Sequence, residues 1–281
     1  MDTMLALRYI TGFFPLSHTY MNRTQDERQV IRHEFQLLKQ VPGLVHGVFT
    51  RHGGVSRPPY AALNVAFNNG DSFEAVCENL SRVKDALRIS QLVAGIQVHG
   101  DTVHLVDDEA LRSAKNRYPV VLTPPGDALV TNLKGTGLLI KIADCQAVFL
   151  VDPVREVIAN VHCGWRGSVN GLLLKVVRLL NTRYGCRPED LLAAVGPSLG
   201  PCCAEFRNYR RELPPSFLAF QTKPEYFDFW AISRGQLINA GLLSEHIEVA
   251  ERCTVCESRH FFSYRGEGTT GRMAAVLSWK G

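Results

Sequence analysis

The apolar residues of this chain come in short runs, and that pattern limits the folds open to it. LVHGVFT (44–50), LVAGIQV (92–98), DALVT beginning at 127, GLLIKI (137–142), AVFLVD (147–152), EVIANV (156–161), LLAAVG (191–196) and MAAVLSW (273–279) are all of strand length. A further short strand fits 103–106. Their Val and Ile content and their Gly, Pro and Asp boundaries predict strands rather than pieces of buried helix. No window reaches the roughly 20 uninterrupted apolar residues of a membrane span.

Helical spacing appears between these runs. From Asp71, read as an N-cap with Glu74 as its partner, Phe73, Val76, Leu80, Val83 and Leu87 form one apolar face. A second helix fits 168–184, with Leu172, Leu173, Val176, Leu179, Leu180 and Tyr184 as its stripe and Gly185 as its stop. A third fits 234–240. Residues 20–42 read as a weak helix through Val30, Ile31, Phe35, Leu37 and Leu38, ended by Pro42 and Gly43. No linker, composition break or repeat divides the chain, so the expectation is an N-terminal arm and helix over 1–42 followed by a single α+β domain over 43–281.

The first 20 residues lack a basic leader, and Arg8 interrupts their apolar run, so they read as a peripheral arm rather than a secretory signal. The expected compartment is the cytoplasm, with reduced thiols. With 46% hydrophobic and 21% charged residues the chain is an ordinary globular one. A formal charge of +4 is too mild for a nucleic-acid footprint. The expected partners are small molecules, with neither nucleic acid nor membrane, and the expected assembly is a monomer or small homo-oligomer.

Eight cysteines and nine histidines are left to explain. The chain has no P-loop, no nucleotide-binding glycine pattern opening a helix after a strand and no HExxH. Three strand ends carry chemistry instead: IQVHG ends on His99, IADC on Cys145 and VHCGW contains His162. A lone His or Cys is more often a packing residue. Two imidazoles and a thiolate together would suit zinc as a three-donor site with the fourth position open, and copper accepts similar donors. The loop RHGGVSRPPY is either a plain connection or, through Arg51 and its Gly-Gly turn, an anion contact.

RHGGVS, LN at 63–64, GD at 70–71, QVHG, GDALVT, ADC, VHCGWRG, GPSLG, FFSYR and TGR follow one another from residue 51 to 272. Together they closely resemble the YfiH family, also called laccase-domain or multicopper polyphenol oxidoreductase-like, and in bacteria peptidoglycan editing factor. The resemblance implies a layered α/β/β/α fold with mixed sheets and a zinc site at His99, Cys145 and His162. It implies adenosine deamination and phosphorolysis of adenosine, inosine, guanosine and methylthioadenosine. A metal-activated water suits attack on C6 of adenine, whereas phosphorolysis needs an anion site. Arg51 and Arg166, the latter before a helix opening at Ser168, are candidates for that site and for substrate binding. Asp144 is a candidate catalytic or ligand-orienting group, and Asn64 a candidate nucleoside contact. The alternatives are a copper-dependent polyphenol oxidase and a quality-control factor of cell-wall synthesis.

The other cysteines read as reduced thiols. Cys253 and Cys256 form CTVC, but the only other close pair, Cys202 and Cys203, is adjacent rather than spaced. Cys163 stands where related sequences usually carry Ala, which places an extra thiol beside His162. Cys77 and Cys186 read as packing residues.

Overall fold

The computed structural model describes residues 29–113, 115–117 and 119–281. Numbered along the chain, the strands are β1 (Arg32–His33), β2 (Leu44–Phe49), β3 (Gln91–Ile96), β4 (Val103–Leu105), β5 (Lys115–Arg117), β6 (Val120–Pro125), β7 (Ala128–Thr131) and β8 (Thr136–Ile142). They continue as β9 (Gln146–Asp152), β10 (Val157–Cys163), β11 (Leu192–Val195), β12 (Gln221–Lys223), β13 (Tyr226–Phe227), β14 (Ile247–Val249) and β15 (Met273–Trp279). The α-helices are α1 (Gln36–Lys39), α2 (Phe73–Leu87), α3 (Asp108–Ser113), α4 (Trp165–Val169), α5 (Leu172–Tyr184), α6 (Tyr209–Glu212), α7 (Phe229–Asn239) and α8 (Tyr264–Glu267).

A seven-stranded sheet, β1-β2-β15-β8-β3-β6-β5, packs on a six-stranded sheet, β14-β11-β9-β10-β7-β4. Both are mixed: β15 runs antiparallel to β2 and β8 while β3 runs parallel to β6 and β8. In the second sheet β9 and β10 are antiparallel and β4 and β7 parallel.

The two-residue side-chain period builds the layers. In β9, Ala147, Phe149 and Val151 face the inter-sheet core, and Val148 and Leu150 face the opposite side under α5. Burying one such large side chain contributes about 1.5–3 kcal/mol, so a strand buried on both faces needs no polar residue along its length. Asn160 of β10 is a polar residue within the inter-sheet layer; its amide donates to the carbonyls of Leu138 and Ala275 at 2.8 and 2.9 Å and links the sheets. Helix α2 covers the outer face of the seven-stranded sheet through Val76, Leu80, Val83 and Leu87. The result is the expected α/β/β/α layering, with a small aromatic cluster of Phe206, Phe217, Phe227 and Phe229 beside it.

Several boundaries differ from expectation. Ser72, with φ −69° and ψ 141°, is the N-cap of α2, and its side chain accepts from Ala75 N. Asp71 is instead held by the Asn64 side chain at 2.8 Å, and Phe73 is exposed. The helix expected over 168–184 starts earlier, at Trp165, and breaks at Gly171, whose φ of +68° is left-handed and open to glycine without strain. Gly185 stops α5 as expected, with φ +68°. Helix α7 starts five residues before the expected 234, capped by Asp228.

Of the weak helix expected over 20–42, residues 20–28 lie outside the described residues. The rest is a strand and one helical turn. Pairing of Arg32 and His33 with Phe49 and Val48, and burial of Phe35 and Leu38, outweigh the short helical period. The sequence pattern does not anticipate β5, β6, β12, β13 or β14.

Candidate active site

Three connections bring the metal-ligand candidates together. His99 lies after β3 with φ +59°, Cys145 follows the turn between β8 and β9, and His162 is the penultimate residue of β10. One donor atom from each lies within 4.8 Å of the others, and the two imidazole centroids are 4.9 Å apart. Three donors in this space, one a thiolate, fit a soft-to-borderline divalent cation with a fourth position free. Gly164 leaves the room: a Cβ there would lie 2.9 Å from Cys145 Sγ and 3.7 Å from His99 Cδ2. Gly164→Ala should therefore cost about 1–3 kcal/mol of overpacking, read as a roughly ten- to hundredfold loss of metal affinity in competition with a chelator.

The residue that organises this trio is Asp127, just before β7, with a fully buried side chain. Its Oδ1 accepts from His162 Nδ1 at 2.7 Å and from His99 N at 3.0 Å. Its Oδ2 accepts from Gly100 N at 2.8 Å and Val98 N at 3.2 Å. Burial raises its proton affinity, but the His162 bond and the backbone amides outweigh this and hold the carboxyl below its ordinary range. With Nδ1 occupied, His162 presents Nε2 to a metal, the usual carboxylate–histidine arrangement of such centres.

Burial opposes charge on Cys145, yet the His162 and His99 imidazoles overcome it and bring the thiol down to about 6. Burial likewise opposes charge on His162, and the Cys145 thiolate with Asp127 raises it to about 9. In metal-free protein each partner therefore favours the charged form of the other, a thiolate beside an imidazolium. The alkylation rate of Cys145, followed by peptide mapping with iodoacetamide, should rise as pH passes upward through about 6, well below an ordinary thiol. Cys163 is the internal control, since burial pushes its thiol up to about 12.

The extra thiol does not join the trio. Strand alternation turns Cys163 away from the His162 face into the core under α5, where its sulfur lies 3.4 Å from Ser168 Oγ.

The trio opens into a cavity of about 640 Å³. Phe67, Trp165, Phe206, Phe229 and Tyr264 give it aromatic walls, and Lys141, Arg166, Arg265 and Arg272 give it four cations. Arg166 lies over the Trp165 ring at 4.3 Å. Burial alone brings Lys141 down to about 8.

Asp144, at φ +91°, lines the pocket, but its carboxylate is used to brace it. Oδ1 accepts from Thr254 and Ser263 hydroxyls at 2.6 Å each, and Oδ2 from Arg265 N at 2.6 Å.

Two sequence candidates are not brought to the pocket. Arg51 is consumed by Glu267 at 2.7 Å and by the carbonyls of Ala61 and Ser258, and it lies over Phe262. Asn64 is fully buried, and its oxygen accepts from Arg272 N at 2.8 Å and its neighbours, so it positions pocket residues from behind. Sequence reasoning missed Asp127, Lys141, Tyr264, Arg265 and Arg272 as site residues. Lys141 had a signal, as the one charge inside an apolar strand. The others lay inside GDALVT, FFSYR and TGR without a reason to be singled out.

Residues 45–280 match the family described as multi-copper polyphenol oxidoreductase laccase. The purine nucleoside phosphorylase YlmD of Geobacillus stearothermophilus is 36% identical over 247 residues, covering 84% of this chain and 90% of the relative. The purine nucleoside phosphorylase YfiH of Escherichia coli is 34% identical over 239 residues, covering 81% and 90%. The crystal structure of the Geobacillus YlmD superposes with a TM-score of 0.80 at 34% identity, over 92% of this chain and 98% of that one. That of YfiH from Bacillus licheniformis gives 0.81 at 29% identity, over 91% and 98%. The ordered motifs, the layered fold and these matches together place the chain in the YfiH, or laccase-domain, family.

Proposed function

We propose that this protein is a zinc-dependent purine nucleoside enzyme that performs phosphorolysis of adenosine, inosine, guanosine and methylthioadenosine and also deaminates adenosine. The observation that carries the reading is the convergence of His99, Cys145 and His162 on one end of an aromatic, cation-lined cavity. The relatives named purine nucleoside phosphorylase support it. Zinc bound by the trio would supply a Lewis acid at its open position. Asp127 would keep the His162 ring in the ligating tautomer, and Gly164 would leave the approach clear.

Phosphorolysis joins a phosphate oxygen to C1′ as the C1′–N9 bond breaks, and the departing purine takes up a proton. Lys141, Arg166, Arg265 and Arg272 are the cations placed to hold that phosphate, while Trp165, Phe206 and Tyr264 offer flat apolar surface to the base. Deamination replaces the C6 amine with oxygen from water and releases ammonia. A reducing cytoplasm would keep Cys145 available as a ligand. No described helix is long and apolar enough to cross a membrane.

Incubating metal-replete protein with adenosine and phosphate, then separating adenine, inosine and hypoxanthine, tests the reading. Phosphate-dependent adenine together with phosphate-independent inosine supports it, and unchanged adenosine overturns it. The family description names a copper oxidase, so the same preparation is assayed for copper and phenol oxidation. Stoichiometric copper with phenol turnover would replace zinc nucleoside chemistry by the oxidative reading.

A further inference from the structure

Outside the pocket, the fold assembles a second cluster of soft ligands from segments some 50 residues apart. Cys202 and Cys203 come from the turn after β11, and Cys253 and Cys256 from the turn after β14. All four Sγ atoms lie within 4.8 Å of one another, with Cys202 to Cys256 at 3.5 Å and Cys203 to Cys256 at 3.6 Å. We propose that these four cysteines bind a structural zinc ion as a closed tetrathiolate site, separate from the His99/Cys145/His162 centre.

The spacing decides the ligand class. Four thiolates around zinc at about 2.3 Å in a tetrahedron stand about 3.8 Å apart, close to the 3.5 and 3.6 Å of the two pairs at Cys256 and inside the 4.8 Å that contains all four. A disulfide requires about 2.05 Å and would use the sulfurs in pairs, whereas here Cys256 is near both Cys202 and Cys203. An iron–sulfur cluster, several atoms across, holds its thiolates further apart than this. Cys253 and Cys256 have the C-x-x-C spacing of a zinc knuckle. The adjacent pair serves as the second half because the chain turns at Gly200, whose carbonyl accepts from Cys203 N and Ala204 N at 2.9 Å each.

The backbone is already arranged around sulfur. Gly200 N points to Cys253 Sγ at 3.4 Å, the kind of amide contact that supports metal-bound thiolates. Position 200 admits no side chain, since a Cβ would lie 2.8 Å from the Trp230 ring and 3.0 Å from Cys253 Cβ. The two turns are also joined by backbone bonds, Ser198 N to Arg252 O at 3.1 Å and Thr254 N to Ser198 O at 3.0 Å.

The site's position gives it a purpose. Thr254, inside the knuckle, donates to Asp144 beside Cys145, and Leu199, just before Gly200, lines the cavity. Arg265 reaches from the pocket rim to the Cys203 and Glu205 carbonyls. Zinc here would clamp the two loops that form one wall of the pocket, whatever reaction that pocket performs.

The test is metal analysis of full-length protein purified anaerobically under reductant. About two zinc ions per chain are expected in the parent, about one in Cys145→Ala, and about one in the Cys253→Ser/Cys256→Ser variant. Cobalt-loaded Cys145→Ala should show thiolate-to-cobalt charge transfer and the strong visible bands of a tetrahedral site, and chelation should lower its melting temperature. Cys145→Ala keeps the proposal falsifiable even where the double variant fails to fold. Metal-free Cys145→Ala with all four thiols titratable overturns the proposal. So does a disulfide among the four found by peptide mapping, or iron with inorganic sulfide in place of zinc.

Discussion

Cys145→Ala is expected to lose the metal of the His99/Cys145/His162 centre and to lower nucleoside turnover by about 10³-fold or more. At 1.36 kcal/mol per decade that is about 4 kcal/mol of transition-state stabilisation. The size follows from the ligand set: Cys145 is the only anionic donor of the three, and two imidazoles at one end of an open cavity form a much weaker site. The removed sulfur leaves a gap facing Gly164, which has no side chain to fill it. Cys163→Ala is the matched control. Its sulfur packs under α5, so it should retain the catalytic metal and most of the activity. Zinc content and kcat/KM for adenosine and inosine measured on both variants decide the matter. Full turnover by Cys145→Ala that has lost the zinc of this centre would remove that metal from the mechanism.

Asp127→Asn is expected to weaken metal binding by about 10–100-fold and to lower the melting temperature, although it changes no volume. The carboxylate accepts four hydrogen bonds, from His162 Nδ1 and from the amides of Val98, His99 and Gly100. An amide has one oxygen to offer these donors. Turned one way, its NH₂ meets backbone amides, and buried donors left without an acceptor cost about 1–3 kcal/mol. Turned the other way, it donates to His162 Nδ1 and drives the proton to Nε2, the nitrogen needed for the metal. Chelator competition and thermal melting measure both consequences. Parent-like zinc affinity in Asp127→Asn would show that Asp127 does not orient His162.

Much of the scaffold was legible because local patterns carried it. The strand-length runs became strands within a residue or two at β2, β8, β9 and β15, since alternate faces of each are buried and the period of two leaves little freedom. The apolar stripe of α2 was visible for the same reason. Errors fell where backbone conformation rather than hydrophobicity decides: at Ser72, whose extended φ/ψ makes it the cap in place of Asp71, and at Gly171, which breaks the second helix. Arg51 and Asn64 were singled out as loop polar residues beside glycines and turns, but such residues serve a pocket only if they face it. These two are saturated by Glu267 and by Arg272 N.

By itself, the sequence determined the α+β class, the positions of the strands built on apolar runs, and the candidacy of His99, Cys145 and His162, because each ends an apolar run and apolar runs must be buried. Only the tertiary structure decided which distant groups meet. It placed Asp127 behind His162, turned Cys163 away from the trio, raised Lys141 into the pocket wall, and brought Cys202 and Cys203 against the CTVC turn. Spacing along a chain limits contacts within a turn or a strand. Contacts between sheets and loops depend on register and on left-handed turns such as those at His99 and Asp144, which no local pattern in the residues announces.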